Sequence, residues 1–310
     1  MVIGTISALL FAFVLFYGWP KFREAPFYQI VCCLTITDSL HLLLQWLIVY
    51  PSLFGLVPEG SFLDWLQNSV VGQNGLDFTD QALFVFVTLI TLNRFAVFIA
   101  QPLLILFTKR TTPITILVSL LLLILLCFFR EKAQSGKHFD ETQMMFSHQT
   151  QESTGENTIQ TVMAVIQYTM PAVNLVCYVF IYLKLRKQRS ESISASKSSD
   201  RGLLIQAFIE SCLLELMRII DMIPQPADDP TGMSLVSMLI NTLKTISSVV
   251  NHTCNSLFFL TTNNTVKGVL RSLPCFQNCS HPSKRRPPSV SSVNVSKITL
   301  TSKHKNSENS

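Results

Sequence analysis

Acids and bases set inside long apolar stretches are the residues best placed to do chemistry in this chain. Asp77, Asp80, Glu215, Arg218, Asp221 and Lys244 each interrupt a run of hydrocarbon side chains. At mid-membrane such a residue costs about 2.5–3.5 kcal/mol on insertion scales, so it needs an opposite charge or a wet cavity. A buried lysine can also act as a nucleophile. Enzyme signatures are missing from the sequence: no HExxH, no GxSxG and no paired histidine cluster stands out. The residues therefore point to recognition rather than catalysis, with no cofactor and no metal expected.

The elements that carry these residues are seven apolar segments, near 2–19, 27–56, 68–100, 112–129, 159–185, 202–223 and 232–262. The hydrocarbon core of a bilayer is about 30 Å thick and offers no water to backbone groups, so segments of this length are read as spanning helices. Only 14% of the residues are charged and the mean hydropathy is +0.38; a soluble domain usually carries about 25% charge. The expectation is an all-α, seven-transmembrane helix bundle over 1–274, followed by a polar tail over 275–310. The first segment is short. Reading it as a signal peptide would require basic residues ahead of the apolar run, whereas Lys21 and Arg23 follow it.

Charge asymmetry orients the bundle. With the N-terminus outside, 18 Lys and Arg fall on the inner side, and only Arg130, Lys132 and Lys137 on the outer. Basic residues favour the cytosolic side, so the N-terminus is expected outside and the C-terminus inside. The net charge of +5 is then a topology signal, and no nucleic-acid partner is implied.

Side chains three or four apart share a helix face, and five segments carry polar stripes at that spacing. The second has Thr35, Asp38, His41 and Gln45. The third has Gln73, Asp77, Asp80, Thr88, Thr91 and Arg94, with Phe84 filling the gap. The fifth has Gln167, Asn174 and Tyr178 around Pro171. The sixth has Glu210, Glu215, Arg218 and Asp221, and the seventh Asn241, Lys244, Ser248, Asn251 and Asn255. The first and fourth are nearly free of polar residues and are expected against lipid, with the other five enclosing a polar interior. Two readings of the charged positions stay open. Gln73, Asp77, Asp80, Arg218, Asp221 and Lys244 can line a ligand cavity open to the outside. They can equally pair across the bundle, with Lys244 reaching an acid of the sixth segment.

Cys32, Cys33, Cys127, Cys177, Cys212 and Cys254 lie within spans, where cysteine behaves as a small apolar residue. The four Asn-x-Ser/Thr sequons, at Asn251, Asn263, Asn278 and Asn294, fall in the membrane or on the cytosolic side. Beyond the last span, Val266, Val269, Leu270 and Leu273 recur opposite Lys267 and Arg271, the pattern of a short helix on the membrane surface. Cys275 and Cys279 behind it are candidate palmitoylation sites. With His281 they lack a fourth ligand for zinc. From Ser280 onward the composition suits disorder; Lys284, Arg285 and Arg286 suit anionic lipid, and the hydroxyls suit phosphorylation.

Three motifs now resemble a G-protein-coupled receptor of the rhodopsin-like plan. Leu34-Thr35-Ile36-Thr37-Asp38 is similar to Leu-x-x-x-Asp of the second span. Asn93-Arg94-Phe95 stands where Asp/Glu-Arg-Tyr closes the third, and Asn255-Ser256-Leu257-Phe258-Phe259 where Asn-Pro-x-x-Tyr lies in the seventh. Pro26-Phe27-Tyr28-Gln29 and Leu204-Ile205-Gln206 further resemble the nematode serpentine chemoreceptors, classes V, X or T. The resemblance implies a small-molecule ligand, a heterotrimeric G protein, and arrestin or a kinase at the tail of a plasma-membrane receptor in sensory cells. It implies an activation switch of Asp38, Asn93, Arg94, Asn255 and Phe259, in which Asp38 and Asn255 form a polar hinge and Asp200 is the acid within reach of Arg94. The chain departs from the pattern at Asn93, which replaces an acid, and at Ser256, which replaces proline. The sixth span lacks a mid-helix proline, and no cysteine pair can tie the third span to the second outer loop. Lys244 lies eleven residues before Asn255, about 16 Å along a helix at 1.5 Å per residue. Retinal-binding receptors place their lysine closer, so covalent chromophore binding is set aside.

A seven-span transporter or ligand-gated channel is the alternative, although neither internal repeats nor paired broken helices are evident. The orientation is directly testable. An epitope tag at the N-terminus is expected to be reached by antibody on intact cells, and a C-terminal tag only after permeabilisation.

Overall fold

The computed structural model describes residues 1–132, 137–140, 145–148, 156–191, 198–221, 223 and 235–273. Seven long helices run through them: α1 Val2–Tyr17, α2 Pro26–Leu44, α3 Val70–Phe98, α4 Thr111–Lys132, α5 Glu156–Glu191, α6 Ser198–Asp221 and α7 Leu235–Thr262, followed by the short α8 Asn264–Ser272. An antiparallel hairpin of β1 Lys137–Asp140 and β2 Met145–His148, in which Lys137 faces His148, lies between α4 and α5. It is the one departure from the all-helical expectation among the described residues.

Helix ends follow local chemistry. Pro26 opens α2 behind an extended Ala25, where its missing N–H costs nothing. Ser61 accepts from the Asp64 amide at 3.2 Å while the Gly60 amide donates to Asp64 Oδ2 at 2.9 Å, capping a short helix Phe62–Asn68. Ser69 then caps α3 by accepting from the Gly72 amide at 3.1 Å. The α2 helix does not stop at Leu44 but widens into a π turn over Gln45–Val49 and ends at Leu53. Pro51 explains the widening: it has no N–H for the carbonyl of Leu47, and its ring crowds that carbonyl. Asn263 ends α7 and caps α8, its Oδ1 accepting from the amides of Thr265 at 2.9 Å and Val266 at 3.2 Å.

Four segments are long and apolar enough to cross a membrane on composition alone: Pro26–Val49, Asn74–Phe98, Thr111–Phe129 and Val165–Lys187. At 16 residues, α1 spans only about 24 Å at 1.5 Å per residue. Polar stripes lower the hydropathy of α6 and α7.

Central position falls to α3, which touches α2, α4, α5 and α6, while α7 touches α1, α2 and α6. Of the most apolar stretch, 61% is buried in α3 but only 17% in α4, so α4 is peripheral as its lack of polar residues predicts. The fifth helix turns its expected stripe inward at Asn174 and Tyr178. Only a narrow face of Pro171, Asn174, Tyr178 and Ile181 turns inward, and Val173, Val176, Val179 and Phe180 are exposed. The inner stripe of α1 is Gly4, Ser7, Ala8, Phe11, Val14 and Leu15, packed on α2 and α7. Between α2 and α3 the core closes through Leu44, Ile48, Val49, Leu66 and Leu76.

Outside the helices, Lys109 after α3 pairs with Glu24 before α2. That hydrogen bond holds the Glu24 carboxyl below its usual range. The stabilisation is therefore present at neutral pH and lost as the pH falls through the carboxyl's range, and exposure to solvent keeps it small.

Two glycines are expected to respond oppositely to alanine. A Cβ on Gly4 would collide with Thr253 Oγ1 and lie 3.1 Å from its Cγ2 and 3.2 Å from its Cβ, a contact that remains tight whichever way Thr253 rotates. Gly4→Ala is expected to destabilise the bundle by about 1–3 kcal/mol. Gly268 in α8 meets nothing within 4 Å, and Gly268→Ala is expected to be neutral or to stabilise by up to about 1 kcal/mol. Thermal unfolding in detergent measures both.

Candidate functional site: a buried polar cluster between three helices

Helical spacing aligns Asp38, His41 and Gln45 on one face of α2, and Ser248, His252 and Asn255 on one face of α7. Thr79 and Asp80 of α3 meet both. Asp38 is 1% exposed and His252 not at all. His252 Nδ1 lies 2.7 Å from Asp38 Oδ1, and its Nε2 lies 3.2 Å from Asp80 Oδ1. Asn255 Nδ2 donates to the other Asp38 oxygen at 3.1 Å. A second layer surrounds His41. Its ring stacks on His252 with centroids 3.7 Å apart and planes 15° apart. Its Nδ1 lies 2.8 Å from Thr79 Oγ1, and its Nε2 lies 3.1 Å from Ser248 Oγ and 3.2 Å from Gln45 Nε2. Ser248 also donates to Asp80 Oδ1 at 3.1 Å.

Donor counting sets the charge logic. An ionised carboxylate only accepts, and a neutral imidazole carries a single N–H. Both contacts of His252 are satisfied together by an imidazolium, or by one proton placed on a carboxyl. Either way the cluster holds one proton more than a neutral ring between two ionised carboxylates would. Such a group tolerates burial only when fully partnered, so α2, α3 and α7 are locked in register.

A second site lies toward the other end of the same helices. The guanidinium carbon of Arg94 sits 4.0 Å above the ring of Phe27. Phe27 also packs near Phe259 at 6.1 Å, and Phe259 stacks on Phe11 at 5.1 Å with rings 5° apart. Next to Phe27, Tyr28 exchanges hydrogen bonds with Asn263 at the α7–α8 junction, at 3.0 and 3.2 Å. Across the bundle, Thr91 donates to the Tyr178 hydroxyl at 3.3 Å and Asn174 to Thr88 at 3.0 Å, joining α3 to α5. Asn251 donates to Met217 Sδ at 3.0 Å, joining α7 to α6.

Most positions picked out by sequence spacing do face inward: Thr35, Asp38, His41, Gln45, Asp77, Asp80, Thr91, Asn174, Tyr178, Ser248, Asn251 and Asn255 are buried. Of the ligand candidates, Asp80 joins the cluster, Asp77 is buried one turn earlier on α3, and Lys244 is half-buried one turn before Ser248. The side chains of Gln73, Arg218 and Asp221 lie outside the described residues, as do that of Asp200 and the whole of Cys275 and Cys279. Of the switch candidates, Asp38 and Asn255 meet directly, Arg94 and Phe259 are linked through Phe27, and Asn93 is buried. Sequence reading missed His252, Thr79 and Phe27 as partners and saw no paired histidines, yet His41 and His252 are stacked. The spacing held the clue for His252, four residues after Ser248 and three before Asn255.

Removing His252 leaves two buried carboxylates short of their shared partner. His252→Ala is expected to cost about 3–5 kcal/mol, and Asn255→Ala about 1–3 kcal/mol. Both are measured by thermal unfolding of the purified protein.

The sequence pattern described as serpentine type 7TM GPCR chemoreceptor Srx matches residues 1–263. That span takes in all seven long helices and every residue of the cluster. Comparison with curated proteins yields no match. Of the three lettered classes that the motifs resemble, the match selects X. The chain belongs to the Srx family of serpentine-type seven-transmembrane G-protein-coupled chemoreceptors.

Proposed function

We propose that this chemoreceptor binds a small external chemical and activates a heterotrimeric G protein on its cytosolic side. The observation that carries the reading is the seat of Arg94 on Phe27. A cation held against an aromatic face is stabilised by about 0.5–2 kcal/mol, enough to bias an equilibrium between two arrangements without freezing it. Phe27 in turn leans on Phe259 of α7, and α7 carries the Ser248–His252–Asn255 face of the polar cluster. A ligand that favours one packing of α7 against α2 and α3 therefore changes the surroundings of Arg94. It must bind the active arrangement better than the resting one, because equal affinity shifts nothing.

On this proposal the N-terminus is outside, in keeping with the excess of Lys and Arg on the other side. The contacts of α3 with α2, α4, α5 and α6 fit the rhodopsin-like plan. Ligand enters from the outer end, toward Gln73, Asp77, Arg218, Asp221 and Lys244. Asp38, Asn93, Arg94, Asn255 and Phe259 form the switch. The receptor domain ends near residue 274, Cys275 and Cys279 anchor the tail through palmitate, and the tail hydroxyls serve kinases and arrestin. The plasma membrane of sensory cells is the proposed location.

Nucleotide exchange on heterotrimeric G proteins, measured beside membrane current in the same cells, tests the reading against a channel or transporter. Phe27→Ala is expected to raise ligand-independent exchange by about 2- to 30-fold, the equivalent of 0.5–2 kcal/mol, and Arg94→Ala to abolish exchange. Current without exchange would refute the proposal. In a ligand screen, Asp77→Asn and Lys244→Met are expected to alter the response profile; unchanged profiles in both would refute the pocket assignment.

A further inference from the structure

We propose that His41, Asp80 and His252 form a binding site for a divalent transition-metal ion, with zinc as the best fit, bridging α2, α3 and α7. One donor atom from each residue lies within 4.8 Å of the other two. The ring nitrogens divide between outer and inner roles. His252 Nδ1 meets Asp38 Oδ1 at 2.7 Å and His41 Nδ1 meets Thr79 Oγ1 at 2.8 Å. A partner on the far nitrogen is the arrangement that orients metal-binding histidines and raises their basicity. The Thr79 hydroxyl donates to the carbonyls of Gly75 and Leu76, so it can accept from His41 Nδ1 in the tautomer that leaves Nε2 free for a metal. Gln45 Nε2 faces His41 Nε2, consistent with a lone pair there.

Asp80 Oδ1 stands close to both rings, with His41 Nδ1 at 3.7 Å. His252 Nε2 is 3.2 Å from Asp80 Oδ1, and Ser248 Oγ is 3.1 Å from both His41 Nε2 and Asp80 Oδ1. Tetrahedral zinc with bonds of about 2.0–2.1 Å holds its donors roughly 3.3 Å apart, close to the 3.2 Å between His252 Nε2 and Asp80 Oδ1; His41 must draw in from within the 4.8 Å that bounds the three donors. The two rings are stacked, with centroids 3.7 Å and planes 15° apart. Loading requires each ring to tilt about χ2 and Gln45 Nε2 to yield. Gln45 Oε1 is buried without a hydrogen-bond partner, in place to accept from a water that completes the metal's shell. Two imidazoles and a carboxylate select a borderline transition metal over an alkali or alkaline-earth ion, which prefers oxygen. The cation also balances the buried charge of Asp38 and Asp80. Asp80 keeps 12% of its side chain exposed, and Asp77 precedes it by one turn. The metal replaces the extra proton of the cluster, so binding weakens as the pH falls.

The test uses the full chain purified in detergent and stripped of metal. Titration with Co²⁺ is expected to saturate at one equivalent with the visible bands of a four- or five-coordinate ion. His41→Gln and His252→Gln should abolish these bands. Asp38→Asn, which preserves the shape of the outer partner, should weaken binding by about 10- to 100-fold. If the histidine variants lose their helix content, Asp38→Asn and X-ray absorption of the Zn²⁺-loaded native protein decide. Two imidazole nitrogens at about 2.0 Å with no sulfur at about 2.3 Å support the site. A sulfur shell, no saturable binding to folded native protein, or unchanged binding in a folded histidine variant overturns it. None of these readouts involves a G protein, so failure here leaves the receptor proposal standing.

Discussion

A carboxylate inside a helix bundle that faces hydrocarbon must find its partners within the protein, and Asp38 and Asp80 impose that demand on everything around them. Asp38 sits midway along α2 and is sealed from solvent. Its two oxygens are met from α7, one by His252 and the other by Asn255. These two residues are three apart, so a single rotational setting of α7 satisfies both. His252 then reaches Asp80 with its other nitrogen and sets α3 against the same pair. A bundle held by apolar contacts alone could slide with little penalty. This one cannot slide or rotate α7 without stranding a buried charge.

The consequences extend along the helices. With α7 in that setting, Phe259 stacks on Phe11 of α1 and approaches Phe27 of α2, which receives Arg94. The approach of α1 to α7 is permitted by Gly4, where any side chain would meet Thr253. At the end of α7, Asn263 both caps α8 and bonds Tyr28, so α8 is tied to the start of α2. Polar register, aromatic packing and the position of Arg94 are thus one mechanical unit.

Much of this was legible in the sequence because a helix writes its buried face at a fixed period. The stripes on α2, α3 and α7 named Asp38, His41, Asp80, Ser248 and Asn255 but passed over Thr37, Thr79, Gln81, His252 and Ser256, which are buried too, and the bare fourth segment announced its peripheral place. The short helix after α7 was visible in the spacing of Val266 and Val269. Periodicity states which face is buried, not what it meets. His41 and His252 are over two hundred residues apart, and only the fold brings their rings into contact. Phe27 reads as one more apolar residue until Arg94 is seen above it. The π turn before Pro51 changes the phase of α2 after Gln45, which no constant period predicts.

The central claim is that His252 couples energetically to Asp38, and a double-mutant cycle measures that coupling most directly. Asp38→Asn, His252→Gln and the double variant would be compared with the native chain by reversible unfolding in detergent. Residues in such direct contact are expected to show a coupling of about 1–3 kcal/mol. Additivity to within about 0.5 kcal/mol would contradict the account, because the two side chains would then not share the interaction on which the register of α7 depends.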